Sequence, residues 1–273
     1  MGYKMIVLDL DGTLTNSEKK ITLKTKEALF RAMGKGIKVV LASGRPTYGI
    51  VPIAKELELD QRGGYILSFN GARITDYSNG DVIYQNTIPQ HFIPTLISMA
   101  KEYHIDYLTY DESGEAIITN NPDNIYAEVE AKINHMPLKY VPKMDEAVTY
   151  PINKMIMLGS GMYLHTVEPR LQRDMEGALS VYRSEPFFLE VMPMGVDKAR
   201  SLERLLDHLG MNREEMICIG DGFNDLTMIE YAGLGVAMAN AQDTVKAKAD
   251  YITLSNDEDG VAHVIEKFID QKD

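Results

Sequence analysis

The stretch KMIVLDLDGTLTN, residues 4–16, runs four apolar residues straight into Asp9, Asp11 and Gly12. Residues 5–8 read as a buried strand, and that strand ends on two carboxylates. Like charges at this spacing repel, so a cation, a proton or a reaction has to compensate them. Residues two apart in a strand face the same side, which places Asp9 and Asp11 to share one pocket as the chain leaves the strand. Gly12 lets the backbone turn sharply there.

Working outward, short apolar runs alternate with amphipathic segments. Residues 22–36 read as a helix with Leu29, Ala32 and Met33 on one face and Gly36 as its stop. Residues 38–43 read as a strand, 47–59 as a helix and 65–71 as a third strand. The same rhythm returns late in the chain, with helices at 197–210, 225–233 and 258–269 and strands at 216–220 and 234–238. Near-continuous apolar strands between helices indicate a parallel sheet covered on both faces. The middle differs: 73–85 reads as a hairpin turning at Asn79-Gly80, and 86–188 mixes strands and helices without strict alternation. The predicted architecture is α/β, a Rossmann-like doubly wound parallel sheet formed by 1–85 plus 189–273, with an α+β cap inserted at 86–188.

The net charge of −12 excludes a general nucleic-acid binder, which needs a basic stripe against phosphates. It leaves room for small phosphorylated molecules, since a metal ion supplies local positive charge. The one cysteine, Cys218, lies in the apolar run MICIG and reads as a small buried hydrophobe. No apolar run approaches the roughly 18 residues of a membrane span, and the amino terminus meets Asp9 before any signal-peptide pattern is complete. Ile6 stands where a myristoylation motif wants Ser or Thr. The expectation is a soluble cytoplasmic protein with no membrane or nucleic-acid partner and no evident obligate protein partner.

Four elements carry chemistry: Asp9 with Asp11, the SGR of residues 43–45, Lys198, and the GDGFND of residues 220–225. All but Lys198 begin where a predicted strand ends. In a parallel α/β sheet those ends gather at one edge, where ligands bind. Asp221 and Asp225 add carboxylates to Asp9 and Asp11, and hard oxygen ligands that leave room for water and phosphate favour Mg2+. Ser43 offers a hydroxyl and Lys198 a point charge, both suited to phosphoryl oxygens.

DLDGTLT, SGR, the downstream lysine and GDGFND, in that order, resemble the four motifs of the haloacid dehalogenase superfamily. The long insertion after the third strand resembles the Cof-type sugar-phosphate phosphatase branch. The resemblance covers essentially the whole chain, the insert by layout more than by motif. It implies that Asp9 is the nucleophile, carried through an aspartyl-phosphate, and that Asp11 protonates the leaving alkoxide and then activates water. It implies a Mg2+ ion held by Asp9, the main-chain carbonyl of Asp11, and Asp221, with Asn224 or Asp225 in support. Ser43, Gly44, Lys198 and Asn224 fall at phosphate-binding positions, and Arg45, Asn70 and Gly71 at positions lining the substrate. The chain departs from the family pattern at Ala199, where relatives often carry Gly.

Taken singly, the elements have duller readings. SGR is a common turn or helix start, Lys198 reads as a solvated first-turn residue, and GDGFND as a Gly-Asp turn. GDGFND lacks the alternating ligands and twelfth-position glutamate of a calcium loop. The six histidines include no pair spaced for a helical zinc site. GLGVAM at 233–238 follows a helix instead of opening one, so it is no dinucleotide fingerprint. Met155, Met157 and Met162 read first as pliable core and second as a tolerant substrate surface. The function expected is a Mg2+-dependent phosphatase acting on a small phosphorylated metabolite, sugar phosphates foremost. The rival readings are a phosphosugar mutase and a non-catalytic sugar-phosphate sensor.

Overall fold

The computed structural model describes residues 2–270. Its opening strands are Met5–Leu8 (β1), Lys38–Ala42 (β2) and Gly64–Ser68 (β3), followed by Arg73–Asp76 (β4) and Val82–Gln85 (β5). Six more follow: Asp106–Tyr110 (β6), Ile117–Thr119 (β7), Leu138–Tyr140 (β8), Met155–Leu158 (β9), Leu179–Glu185 (β10) and Phe188–Pro193 (β11). The last three are Met216–Gly220 (β12), Leu234–Ala237 (β13) and Tyr251–Ile252 (β14).

The opening and closing strands form one eight-stranded sheet in the order β14-β13-β12-β1-β2-β3-β4-β5. From β14 to β3 the strands are parallel, and β4 turns back antiparallel on β3. The chain steps outward from β1 through β2 to β3, then returns to lay β12 on the other side of β1. That reversal opens a crevice at the carboxyl ends of β1 and β12. Every residue of β1 and β12 is buried, as strands covered on both faces must be.

Helices cap themselves as their sequences predict. The helix Leu23–Gly34 starts on Thr22, whose hydroxyl accepts from Thr25 N–H, and buries Ala28, Leu29, Ala32 and Met33. The helix Lys198–Leu209 starts on Asp197, whose carboxylate accepts from Arg200 N–H, and ends at Gly210 with φ +63°. It buries Leu202, Leu205 and Leu206, and also Lys198.

Several boundaries differ from the sequence reading. The strand expected over 65–71 stops at Ser68, because Phe69 and Asn70 both turn to φ 53°. The helix expected over 47–59 ends at Glu56, and Glu58 adopts φ 54° before a short turn of helix, Leu59–Arg62. The last helix is α-helical over Gly260–Ile265 and widens to a π turn over Glu266–Asp270.

The remaining strands build a second sheet, β10-β11-β9-β6-β7-β8, antiparallel except where β7 meets β8. By contacts the chain divides into two compact units. The first takes the residues up to Gly44, Ile50–Tyr84 and those from Asp197 on; the second takes Arg45–Gly49 and Gln85–Val196. The second therefore runs past residue 188, because Phe188–Pro193 pairs with β9 and β10. Its core packs Ile93, Leu96, Leu164 and Leu171 with Met155, Met157 and Val191. Met155 and Met157 are thus core, whereas Met162 is 87% exposed. Among the described residues no helix is long and apolar enough to cross a membrane.

Cys218, in the middle of β12, has no exposed surface, and burial pushes its thiol pKa well above the ordinary range. A thiolate reagent should therefore leave the native protein unlabelled and modify Cys218 once the chain is unfolded in denaturant. Mass spectrometry of both samples checks this, and rapid labelling of native protein would contradict the packing of β12.

Candidate active site

Asp9 is the first residue beyond β1, and its N–H still donates to the carbonyl of Ile219 at 3.0 Å, as though the ladder to β12 ran one step further. Its carboxylate is therefore held at the mouth of the crevice, 6% exposed. Lys198 reaches it from the first turn of its helix. The Nζ donates to Asp9 Oδ1 at 2.7 Å, to Asp225 Oδ1 at 2.6 Å and to the carbonyl of Ala42, the end of β2, at 2.8 Å. Three donors meet three acceptors, so a fully buried ammonium keeps every hydrogen bond it would have had in water. The solvated lysine that this position suggests by itself is not what the fold makes of it.

Asp225, fully buried, faces two ways. Its second oxygen, Oδ2, accepts from the N–H groups of Asp221 and Gly222 at 3.0 and 2.9 Å. It thus ties Lys198 to the loop after β12. Asp221 lies in that loop, and its Oδ1 accepts from the Thr13 hydroxyl at 2.8 Å. Gly12, at φ +85°, packs so closely that a Cβ there would stand 2.5 Å from Asp221 Oδ2. The glycine is needed both for its conformation and for its missing side chain.

Ligand oxygens of Asp9, Asp221 and Asp225 lie within 4.8 Å of one another. One ammonium against three carboxylates leaves a surplus of buried negative charge. Burial first, then Asp225, pushes the Asp9 carboxyl well above the ordinary range, against the pull of Lys198. Asp221 is pushed up to about 6, chiefly by burial, with the Thr13 hydrogen bond opposing. Burial alone would lower Lys198, but Asp225 and Asp9 reverse that and hold it above its ordinary value. The site's chemistry fits a hard divalent cation: carboxylate oxygens, no sulfur or imidazole, and charge to neutralise.

The other predicted residues fall into place unevenly. Asp11 turns its carboxylate outward to Lys19, Nζ to Oδ1 2.9 Å, and stays outside the group of three carboxylates. Such an exposed pair contributes at most about 1 kcal/mol. Ser43 is buried; its N–H donates to Leu67 and its carbonyl accepts from Asn70 N–H, both at 2.9 Å. The Asn70 Oδ1 in turn accepts from Asn224 Nδ2 at 3.3 Å, and the Asn70 amide lies 3.2 Å from where a Cβ on Gly44 would be. Gly71, at φ +102°, lets Ser201 donate to its carbonyl at 2.6 Å, which seats the lysine helix beside Asn70. Arg45 belongs with the second unit, where its Nη1 donates to Gly49 at 3.5 Å.

Two residues escaped the sequence reading. Thr13 sits within the quoted stretch and orients Asp221. Asn240, three residues past β13, donates from Nδ2 to the carbonyl of Gly12 at 2.8 Å. Its position beyond a strand's carboxyl end is the same signal that singled out Asp9 and Asp221.

Comparison with known proteins gives the family. Residues 6–265 match the haloacid dehalogenase-like hydrolase family. A solved haloacid dehalogenase-like hydrolase from Bacteroides thetaiotaomicron is 50% identical, covers 97% of this chain and 99% of its own, and superposes with a TM-score of 0.93. A solved sugar phosphatase of haloacid dehalogenase subclass IIB is 28% identical over 97% and 98% of the two chains, with a TM-score of 0.79. The 5-amino-6-(5-phospho-D-ribitylamino)uracil phosphatase YcsE of Bacillus subtilis is 30% identical over 97% of this chain and 96% of its own.

Removing the ammonium leaves two buried carboxylates facing each other. Lys198→Met should therefore destabilise the protein by about 3–5 kcal/mol, the cost of breaking a buried ion pair by one partner. Urea unfolding followed by circular dichroism checks the value. A loss below about 1 kcal/mol, the range of exposed pairs, would mean that Lys198 is solvated after all.

Proposed function

The chain belongs to the haloacid dehalogenase-like hydrolases and is a phosphatase, and from that premise we propose that it hydrolyses small phosphomonoesters through an aspartyl-phosphate on Asp9. The observation that carries this reading is the Lys198 ammonium set between Asp9 and Asp225 at 2.7 and 2.6 Å. It holds one oxygen of Asp9 in place and brings positive charge to where a transferring phosphoryl group needs it.

The second oxygen of Asp9 attacks phosphorus in line. The oxygen–phosphorus bond to Asp9 forms as the ester bond breaks, and Asp11, released from Lys19, gives its proton to the departing alkoxide. Asp11 then takes a proton from water, whose oxygen attacks the same phosphorus and frees phosphate and Asp9. Ser43 steadies the phosphoryl oxygens in both steps, with Asn224 and the Gly44 N–H beside it, while Lys198 supplies positive charge from behind Asp9. Asp9, the Asp11 carbonyl and Asp221 would hold Mg2+, supported by Asp225. When bound, the ion supplies positive charge against the carboxylates and the phosphate.

Sugar phosphates are the substrate class favoured. One relative is named for a phosphorylated ribitylamino compound and one solved neighbour for sugar phosphates. The inserted stretch, 86–188 in the sequence reading, would serve as the cap that selects among substrates, with Arg45, Asn70 and Gly71 lining the reaction side.

The test is phosphate release from a panel of phosphorylated metabolites, with Mg2+ and with chelator. Wild-type protein should release free phosphate from sugar phosphates only with the ion present, and Asp9→Asn should fall to the background without enzyme while keeping its circular dichroism. An isomeric sugar phosphate in place of free phosphate would identify a mutase. Undiminished turnover in chelator, or in Asp9→Asn, would overturn the ion or the nucleophile respectively.

A further inference from the structure

Residues 12–15 carry the groups that orient Asp221; the N–H groups of Thr13, Leu14 and Thr15 turn back onto the carbonyls of Leu10 and Asp9, while the carbonyls of Gly12 and Thr15 face other parts of the chain. Two asparagines from the far end of the sequence grip them. Asn240 Nδ2 donates to the carbonyl of Gly12 at 2.8 Å, and Asn256 Nδ2 donates to the carbonyl of Thr15 at 3.0 Å. The two are linked, because Asn256 N–H donates to Asn240 Oδ1 at 3.0 Å. Between these grips lie the hydrogen bond from Thr13 to Asp221 and the close packing of Gly12 on its carboxylate. The direction of that carboxylate therefore follows the position of residues 12 and 13.

We propose that Asn240 and Asn256 are positioning residues for the divalent cation: by fixing the backbone of residues 12–15 they hold Asp221 in its ion-binding orientation. The proposal rests on the metal reading above. Groups that orient metal ligands contribute strongly to affinity without touching the ion, and neither asparagine belongs to the four motifs.

The same loop has a second tie that serves as an internal control. Ser17 donates from its N–H and hydroxyl to Asp257 at 2.8 and 2.7 Å, in an exposed position beyond Thr15. It joins the same two segments but leaves residues 12–15 alone. A purely structural role for the contacts would make both ties matter equally.

The experiment titrates full-length protein with Mn2+, reading the unbound ion by electron paramagnetic resonance. Asn240→Ala and Asn256→Ala should each weaken binding by about tenfold or more. The double variant should lose little beyond the worse single, because the two share a hydrogen bond. Asn240→Asp keeps the acceptor for Asn256 but sets a carboxylate oxygen against the Gly12 carbonyl, so it should bind as poorly as the alanine variant. Asp257→Ala should bind as wild type does. Native protection of Cys218 from thiol reagents confirms the fold of each. Should Asn240→Ala not fold, Asn256→Ala keeps its main-chain bond to Asn240 and carries the test. Affinity within about twofold of wild type in folded Asn240→Ala or Asn256→Ala, or an equal loss in Asp257→Ala, overturns the proposal. Wild-type protein that binds no Mn2+ would instead overturn the metal reading, and this proposal with it.

Discussion

A charged lysine with no exposed surface is the constraint around which the first unit is arranged. Burying an ammonium costs several kcal/mol after relaxation, and Lys198 is tolerated only because Asp9, Asp225 and the Ala42 carbonyl satisfy all three of its N–H groups. Those acceptors come from the ends of β1 and β2 and from the loop after β12. The contact between Lys198 and Asp9 spans 189 positions of sequence. No partial assembly satisfies the ammonium, so the strands must be in register before the lysine can be buried.

The charge that Lys198 cannot cancel gives the site its chemistry. Asp9, buried, and Asp221, partly buried, both have proton affinities raised by burial first and also by the Asp225 carboxylate. Such a site attracts a hard cation, and a cation in turn draws a phosphate. The local field at a crevice is set by a few groups and not by net charge, so an acidic chain is compatible with the anionic substrate of a phosphatase. Asp225 contributes by holding: one oxygen on the lysine, the other on the backbone of the loop that carries Asp221.

The edges of this crevice are kept in place by backbone conformations as much as by side chains. Phe69 and Asn70 take positive φ, a region that side chains disfavour, and Gly71 follows at +102°. Asn70 then donates to Ser43, and Ser201 to Gly71, so β2, β3 and the lysine helix are locked at one corner. On the other side, Gly12 accepts close packing from Asp221 that no other residue would allow.

The order of strands and helices, the apolar faces and the residues at strand ends were legible in the amino-acid sequence, because periodicity and turn chemistry are local. Asp9, Ser43 and Asp221 were singled out by that logic and Lys198 by its point charge, and the structure brings Asp9, Lys198 and Asp221 to one place. Helix ends were less so: the helix before Leu59 stops at Glu56 and Glu58 takes φ 54°, which the apolar periodicity of 47–59 does not signal. Three features belong to the tertiary structure alone. Lys198 is buried and not solvated, Asp11 points to Lys19 and not to the other carboxylates, and Asn240 and Asn256 grip the loop after β1. The first and third depend on which atoms distant in sequence lie within about 3 Å of a side chain, the reach of a hydrogen bond. That proximity arises when β12 and β13 are laid beside β1, and no spacing within the chain encodes it.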